Sequence, residues 1–308
     1  MNAFIRGLKM PRQESIIFYA FSIVVMFATV VFSETSSPAP EYEQGLRAYE
    51  DGEYDEAIEK WAPLAEAGDA EAQFRLGVLY QVTVALGTLE PEFGIKAFNL
   101  IHDAALQGHA EAQMELWLII KKSYPDNPKL QAQAVEWLKL AANQGFANAQ
   151  FELGVSFRDG VGVSQDIALA TPWFRLAAEQ GHADAQNNLA ARYYHGDGVP
   201  QDFERAFFWF RNSAKQGNAI AQFNLGAMFN NGQWVSQDLS KAYMWMSLAA
   251  DDANNLGTIS ADIILDPIPT VDQWRKTIAI LETYMSERQI DQAKKMAERC
   301  INKKYSEC

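Results

Sequence analysis

Between Glu41 and Ala250 apolar residues recur at the three-to-four-residue step of amphipathic helices, in runs that end at glycines. Leu153, Gly154 and Phe157 share one helix face, as do Leu225, Gly226 and Phe229. Each of these helices stops near a glycine, Gly160, Gly196 or Gly232, a residue that readily takes the left-handed cap conformation. A short loop follows (DGVGVSQD, GDGVPQD or NGQWVSQD), and Asp166, Asp202 and Asp238 then stand where a second helix needs an N-cap. That second helix carries a small residue and, three places on, a tryptophan. It ends at a further glycine. The pattern predicts helix pairs.

The pair is repeated. The word A-x-A-Q begins at Ala70, Ala110, Ala147, Ala183 and Ala219, with spacings of 40, 37, 36 and 36. Gly68, Gly108, Gly145, Gly181 and Gly217 keep step two places earlier. Trp137, Trp173, Trp209 and Trp245 are each 36 apart, and Ala134, Ala170, Ala206 and Ala242 precede them by three. One helix pair cannot bury its own apolar face, so such units stack on their neighbours. Alanine and glycine allow close helix approach, and the tryptophan, leucine and aromatic columns are expected to fill the space between helices.

The pattern A-x-A-Q-x-x-L-G-x-x-Y/F-x-x-G-x-G-V-x-x-D-x-x-x-A-x-x-W-x-x-x-A-A-x-x-G resembles the Sel-one-like repeat, a relative of the tetratricopeptide repeat, and Ala149–Gly181 fits it almost throughout. The resemblance spans about Glu41 to Ala250. It implies an all-α fold, a right-handed α/α superhelical solenoid of about six helix-pair repeats. The first unit has only Asp51-Gly52 as its loop, with Trp61 one place late, and reads as an N-terminal cap. The second and third units depart at Gln81–Pro91 and Lys121–Lys129, where protruding loops are expected. Beyond Ala250 the pattern fades. Ser286 and Gln289 form a capping box, and Ile290, Ala293, Met296, Ala297 and Cys300 make one apolar stripe that should dock on the last repeat.

The N-terminus is of another kind. Arg6, Lys9 and Arg12 precede seventeen uncharged residues, Ile16–Phe32. A basic flank before an apolar run is an export pattern. Two readings stand, a signal peptide cleaved near Val31 and Ser33 or a retained inner-membrane anchor; a buried core helix is a third. The expected organisation is signal or anchor over 1–33, linker over 34–40, repeats over 41–252 and a C-terminal helical cap over 253–308. Cys300 and Cys308 are the only cysteines. In an exported chain they read as one disulfide, and in a cytosolic one as free thiols. Exported members of the resembled family often end in a helix with a terminal cysteine pair, which favours the disulfide.

The formal net charge of −13 argues against a nucleic-acid partner, which needs a basic footprint. No catalytic motif for nucleophilic, zinc or phosphate chemistry is present. His109 and His182 share one repeat position with Asp69, Phe146 and Asn218, so they read as turn residues rather than metal ligands. No catalytic residue, metal or cofactor is expected. Chemistry therefore falls to the surface. In tetratricopeptide-like solenoids the concave face is lined by first-helix residues. By that resemblance Phe74, Phe151, Phe223, Arg158, Asn187, Tyr194 and Asn230 are candidates. The phenylalanines read better as packing between units. Arg158, Asn187, Tyr194 and Asn230 are the candidate contacts for a protein or peptide partner. The reading is a non-enzymatic scaffold or adaptor of the bacterial periplasm or inner membrane. Two alternatives are a hydrolase of cell-wall material or β-lactams, as in a cysteine-rich branch of the family, and a secreted host-directed or signalling factor.

Overall fold

The computed structural model describes residues 40–90, 92–252, 271–305 and 308. The signal or anchor segment, the linker apart from Pro40, and residues 253–270 of the expected cap lie outside the described residues. All regular secondary structure among the described residues is helical. The helices are α1 (Pro40–Glu50), α2 (Tyr54–Glu66), α3 (Ala70–Ala85), α4 (Glu92–Leu106), α5 (Ala110–Ser123), α6 (Pro128–Asn143), α7 (Ala147–Asp159), α8 (Ile167–Glu179), α9 (Ala183–His195), α10 (Phe203–Ala214), α11 (Ala219–Asn231), α12 (Leu239–Asp252), α13 (Val271–Glu282) and α14 (Glu287–Asn302). The described residues divide into two compact units, the first ending at Ala112 and the second beginning at Gln113.

In the first unit α1 packs on α2, α2 on α3 and α3 on α4. Trp61 is the centre of its core, fully buried, with its indole N–H donating to the Tyr42 carbonyl at 3.2 Å. The expected loop at Gln81–Pro91 is corrected: α3 continues to Ala85. No glycine interrupts VTVA there, and Thr83 satisfies its hydroxyl on the carbonyls of Leu79 and Tyr80, at 2.8 and 3.1 Å, within the same helix. The irregularity at Lys121–Lys129 also shrinks, because α5 runs to Ser123 and α6 starts at Pro128 under the Asn127 cap.

In the second unit every helix from α6 to α12 packs on its sequence neighbours, the nearest-neighbour contact of a stacked repeat. Local chemistry sets each boundary. Asp166, Asp202 and Asp238 accept from the amides of Leu169, Arg205 and Lys241, each at 3.0 Å. The glutamine before each aspartate, Gln165, Gln201 or Gln237, donates its side-chain amide to the carbonyl of Arg158, Tyr194 or Asn230 at 2.8, 2.9 and 2.8 Å. The loop between is pinned from both sides. Within it Gly162 lies so close to α6 that a Cβ would sit 2.5 Å from the Gln131 carbonyl oxygen. Gly198 meets α8 similarly, with Thr171 Oγ1 at 2.9 Å. The third copy breaks the rule. Trp234 occupies the equivalent place with φ 65°, a conformation that costs a side-chain-bearing residue about 1–2 kcal/mol.

The helix interfaces are set by size. A Cβ on Gly154 would lie 2.7 Å from the Phe174 ring, and one on Gly226 would lie 2.7 Å from Met246 Cγ. These glycines are sockets for the residue after each tryptophan. Leu138, Phe174, Phe210 and Met246 fill that column and are buried, whereas Trp137, Trp173 and Trp209 are only half-buried. The residue after each tryptophan fills the socket, while the tryptophans pack beside it, partly buried at 137, 173 and 209 and buried at 245.

A second device joins unit to unit. The glutamines of A-x-A-Q are buried, and Gln150, Gln186 and Gln222 donate to the carbonyls of Ala142, Ala178 and Ala214 at 3.1 to 3.4 Å. The glutamine before the turn glycine that closes the same helix pair donates in turn to that glutamine's oxygen. Gln144 reaches Gln113 at 2.9 Å, Gln180 reaches Gln150 at 2.7 Å and Gln216 reaches Gln186 at 2.8 Å. This forms a ladder of amides, one rung per repeat, in which the acceptor glutamine is buried and the donor glutamine exposed. Gln107 and Gln73 make the same contact within the first unit, at 2.8 Å.

The end of the second unit is closed by α13 and α14, both packed on α12. Ser286 and Gln289 form the expected capping box, and Ala293 and Cys300 of the apolar stripe are buried. Trp274 of α13 is fully buried and stacks on Phe223, centroids 4.8 Å apart. Cys300 and Cys308 are joined as a disulfide.

Candidate protein-binding surface

The four candidate contact residues sit at or near the ends of first helices, and the structure gives them partners within the protein. Arg158 lays its guanidinium on the Asp159 carboxylate at 2.7 and 2.9 Å and reaches Asn188 of the next unit at 2.8 Å. Tyr194 donates its hydroxyl to Gln233 of the following unit at 2.8 Å and is half-buried. Asn230 donates to Asn231 at 3.1 Å. Asn187 requires a correction. It is fully buried, and its carbonyl oxygen accepts from Asn224 of the next first helix at 3.2 Å. Buried alanines at 190, 191 and 227 leave α9 and α11 close enough for two amides to meet in the seam. The four residues therefore do not converge on one patch; Arg158, Tyr194 and Asn187 join consecutive units.

The phenylalanines are packing residues. Phe151 stacks on His182 at 4.5 Å and Phe74 on His109 at 4.7 Å; Phe223 meets Trp274 instead, where no further repeat follows. Both histidines are N-caps. His182 Nδ1 accepts from the Ala185 amide at 3.3 Å, and burial holds this imidazole below its ordinary pKa. His109 Nδ1 accepts from Ala112 at 3.2 Å, which leaves Nε2 to donate to Glu71 at 2.7 Å. That hydrogen bond, with Arg75 on the same carboxylate at 2.7 Å, holds Glu71 down to about 2. Tyr42 donates to Glu71 as well, at 3.0 Å, so one carboxylate ties α1 to α3 and to the turn before α5. Among the described residues no group of three or more His, Cys, Asp or Glu is arranged to hold a metal ion.

Exposed apolar side chains gather elsewhere, on the second helices. Leu140, Leu169, Leu176 and Phe208 are 49%, 51%, 43% and 54% exposed. Between α8 and α10 the surface forms an open groove of about 690 Å³ floored by Leu189 and Tyr193 of α9. Phe208 and Trp209 form one wall and Arg175 the other; Asp202, Glu204, Arg205 and Glu179 stand at the rim. Arg175 and Arg205 both donate to the Tyr193 hydroxyl, at 3.3 and 3.4 Å, and Arg205 also pairs with Asp202 at 3.2 Å.

The same groove exists one repeat later. Between α10 and α12 lies a cavity of about 400 Å³ lined by Arg211, Leu225, Phe229, Lys241, Met244 and Trp245. Each is 36 residues on from Arg175, Leu189, Tyr193, Arg205, Phe208 and Trp209. Here, however, Met296 and Arg299 of α14 and Cys308 complete the lining. Met244 and Trp245 are each 3% exposed, where Phe208 is 54% exposed and Trp209 only partly buried. Sequence reasoning looked to first helices and missed this face. Its signal was present in Leu140 and Leu176, two leucines 36 apart on the polar side of the second-helix pattern.

The model of the Sel1 repeat matches residues 70–82, 128–146, 147–182, 183–218 and 219–254. The fold is similar to that of a protective antigen present in uropathogenic Escherichia coli strains displaying an SLR fold, with TM-score 0.70 and 28% identity over 87% of this chain and 54% of that one. It is also similar to a Sel1 repeat protein from Oxalobacter formigenes, with TM-score 0.62 and 26% identity over 77% of this chain and 98% of that one. Protein sel-1 homolog 2 of Rattus norvegicus is 31% identical over 123 residues, 40% of this chain. The chain spans 18% of the length of that relative.

Proposed function

The chain is a Sel1-repeat protein, and we propose that it is a non-enzymatic scaffold of the bacterial cell envelope that binds a protein or peptide partner on its helix-pair surface. Sel1-repeat proteins are in general protein–protein interaction scaffolds. The observation that carries the reading is the groove between α8 and α10, whose apolar wall is exposed in a chain that covers the equivalent wall one repeat later. Aromatic and arginine side chains around a concave apolar floor suit a protein interface. The repeat columns have packing or capping work to do, which supports a scaffold over the hydrolase alternative. The envelope assignment rests on the basic flank and uncharged run at the N-terminus, and the Cys300–Cys308 disulfide suits an oxidising compartment.

The test is a photo-crosslinking scan in cells, with the reactive residue placed in turn at positions 140, 176 and 208 and at Ile280, an exposed residue of α13, in the full chain, followed by fractionation. The expected result is a discrete adduct with one protein, in the membrane or periplasmic fraction. Adduct-free chain at every position would overturn the scaffold reading. Recovery in the cytosol with both cysteines open to thiol labelling would overturn the envelope assignment. Hydrolysis of a chromogenic β-lactam by the purified chain would overturn the non-enzymatic one.

A further inference from the structure

The chain shows what fills a groove of this type. At the α10–α12 groove the occupant is α14, an amphipathic helix that sets Met296 toward the apolar wall and Arg299, one turn on, at the rim. The wall it covers, Met244 and Trp245, corresponds to Phe208 and Trp209 in the open groove. We propose that the α8–α10 groove takes a basic amphipathic helix from a partner protein, seated as α14 is seated, with an unbranched apolar residue on Phe208 and Trp209 and an arginine or lysine one turn later. This rests on the scaffold reading and gives its partner a chemistry.

The charges select the occupant. In the closed groove Arg299 lines the same cavity as Arg211 and Lys241, two like charges, of which Lys241 is paired with Asp238 at 3.4 Å. In the open groove the rim differs at two places: Glu179 stands where the later copy has Lys215, and Glu204 where it has Ser240. Arg175 and Arg205 are turned onto Tyr193 and Asp202. A cation arriving at the position of Arg299 would thus meet carboxylates. The open groove is better suited to a basic helix arriving from elsewhere than the groove that holds one in cis. Its wall is also larger and aromatic, Phe208 for Met244, so an apolar anchor gains contact there.

The probe is a synthetic peptide of residues 286–304 with serine in place of Cys300, titrated against the full chain by fluorescence anisotropy. Binding is expected, weakening as salt is raised. Phe208→Asp, at an exposed position whose folding is checked by circular dichroism, should weaken it about tenfold or more, the scale of a hot-spot side chain. Glu204→Lys should weaken it several-fold, and a peptide carrying Arg299→Glu should lose most of its affinity for the unaltered chain. Absence of binding at millimolar peptide would overturn the proposal. So would binding indifferent to Phe208→Asp and Glu204→Lys, which would place the peptide in the terminal groove by exchange with α14. Self-association of the chain abolished by Phe208→Asp would assign the groove to a second copy and overturn it too. If the peptide fails while the crosslinking scan still yields a discrete adduct at position 140 or 280, the scaffold reading survives and only this groove's role falls.

Discussion

His182 shows how much a single turn position can report. Its Nδ1 caps α9 only while the ring is neutral, and its surroundings disfavour the charged form. The folded-state pKa lies below the ordinary value of about 6.5, so the unfolded chain binds the proton first. The cap's contribution is complete above that value and disappears as pH falls through the lower folded one. Replacement by asparagine, the residue the next unit uses at position 218, keeps the acceptor and removes the titration. His182→Asn is expected to leave stability at pH 8 within about 0.5 kcal/mol of the parent and to flatten its decline between pH 7 and 5. Urea midpoints across that range measure it, and an unchanged slope would sink the account. Glu71 adds a separate decline at lower pH. Its stability is full above its ordinary pKa and is lost as pH falls toward about 2.

At the scale of the element, the amide ladder is the joint most exposed to test. Gln150 donates to Ala142 of the repeat before it and accepts from Gln180, which closes its own repeat. Gln150→Leu keeps the volume and removes both hydrogen bonds; the Ala142 carbonyl still accepts from the Gly145 amide and Gln180 is exposed, so the expected cost is about 0.5–1.5 kcal/mol per bond lost. Because the lost bond joins units, the unfolding transition should also broaden as neighbouring repeats uncouple. Calorimetry reads both effects; a sharp transition at an unchanged temperature would refute the coupling. Much at this scale was legible in the sequence. Turn glycines, aspartate caps and the capping box act through a residue's own backbone, so their chemistry travels with their spacing. The seam did not reveal itself. Whether Asn187 faces solvent or a neighbour depends on how closely α9 and α11 approach, and that distance is set by alanines a turn away. The second helices misled for the same reason. A tryptophan every 36 residues reads as core, yet the socket at Gly154 is shaped for Phe174.

For the whole molecule the decisive feature is how the stack ends. Stacked repeats always leave one unit whose apolar face has no successor. Here Trp274 takes the place on Phe223 that a following unit's cap residue would take, and Met296 and Arg299 of α14 line one cavity with Met244 and Trp245. A chain ending at Asp252 is expected to keep its helices by circular dichroism but to melt at lower temperature, bind a hydrophobic dye and self-associate on a sizing column. An unchanged melting temperature in a monodisperse monomer would remove the capping role from α13 and α14. The ladder has a consequence of its own at this scale, one of heredity. Each 36-residue cassette offers one amide backward and one acceptor forward, so its hydrogen-bond valence is balanced. Gain or loss of a whole cassette by unequal recombination would leave every rung satisfied, whereas any other length would break one. Descendants of such a gene can therefore change reach in fixed steps, and the terminal helices, written once, need never be rewritten.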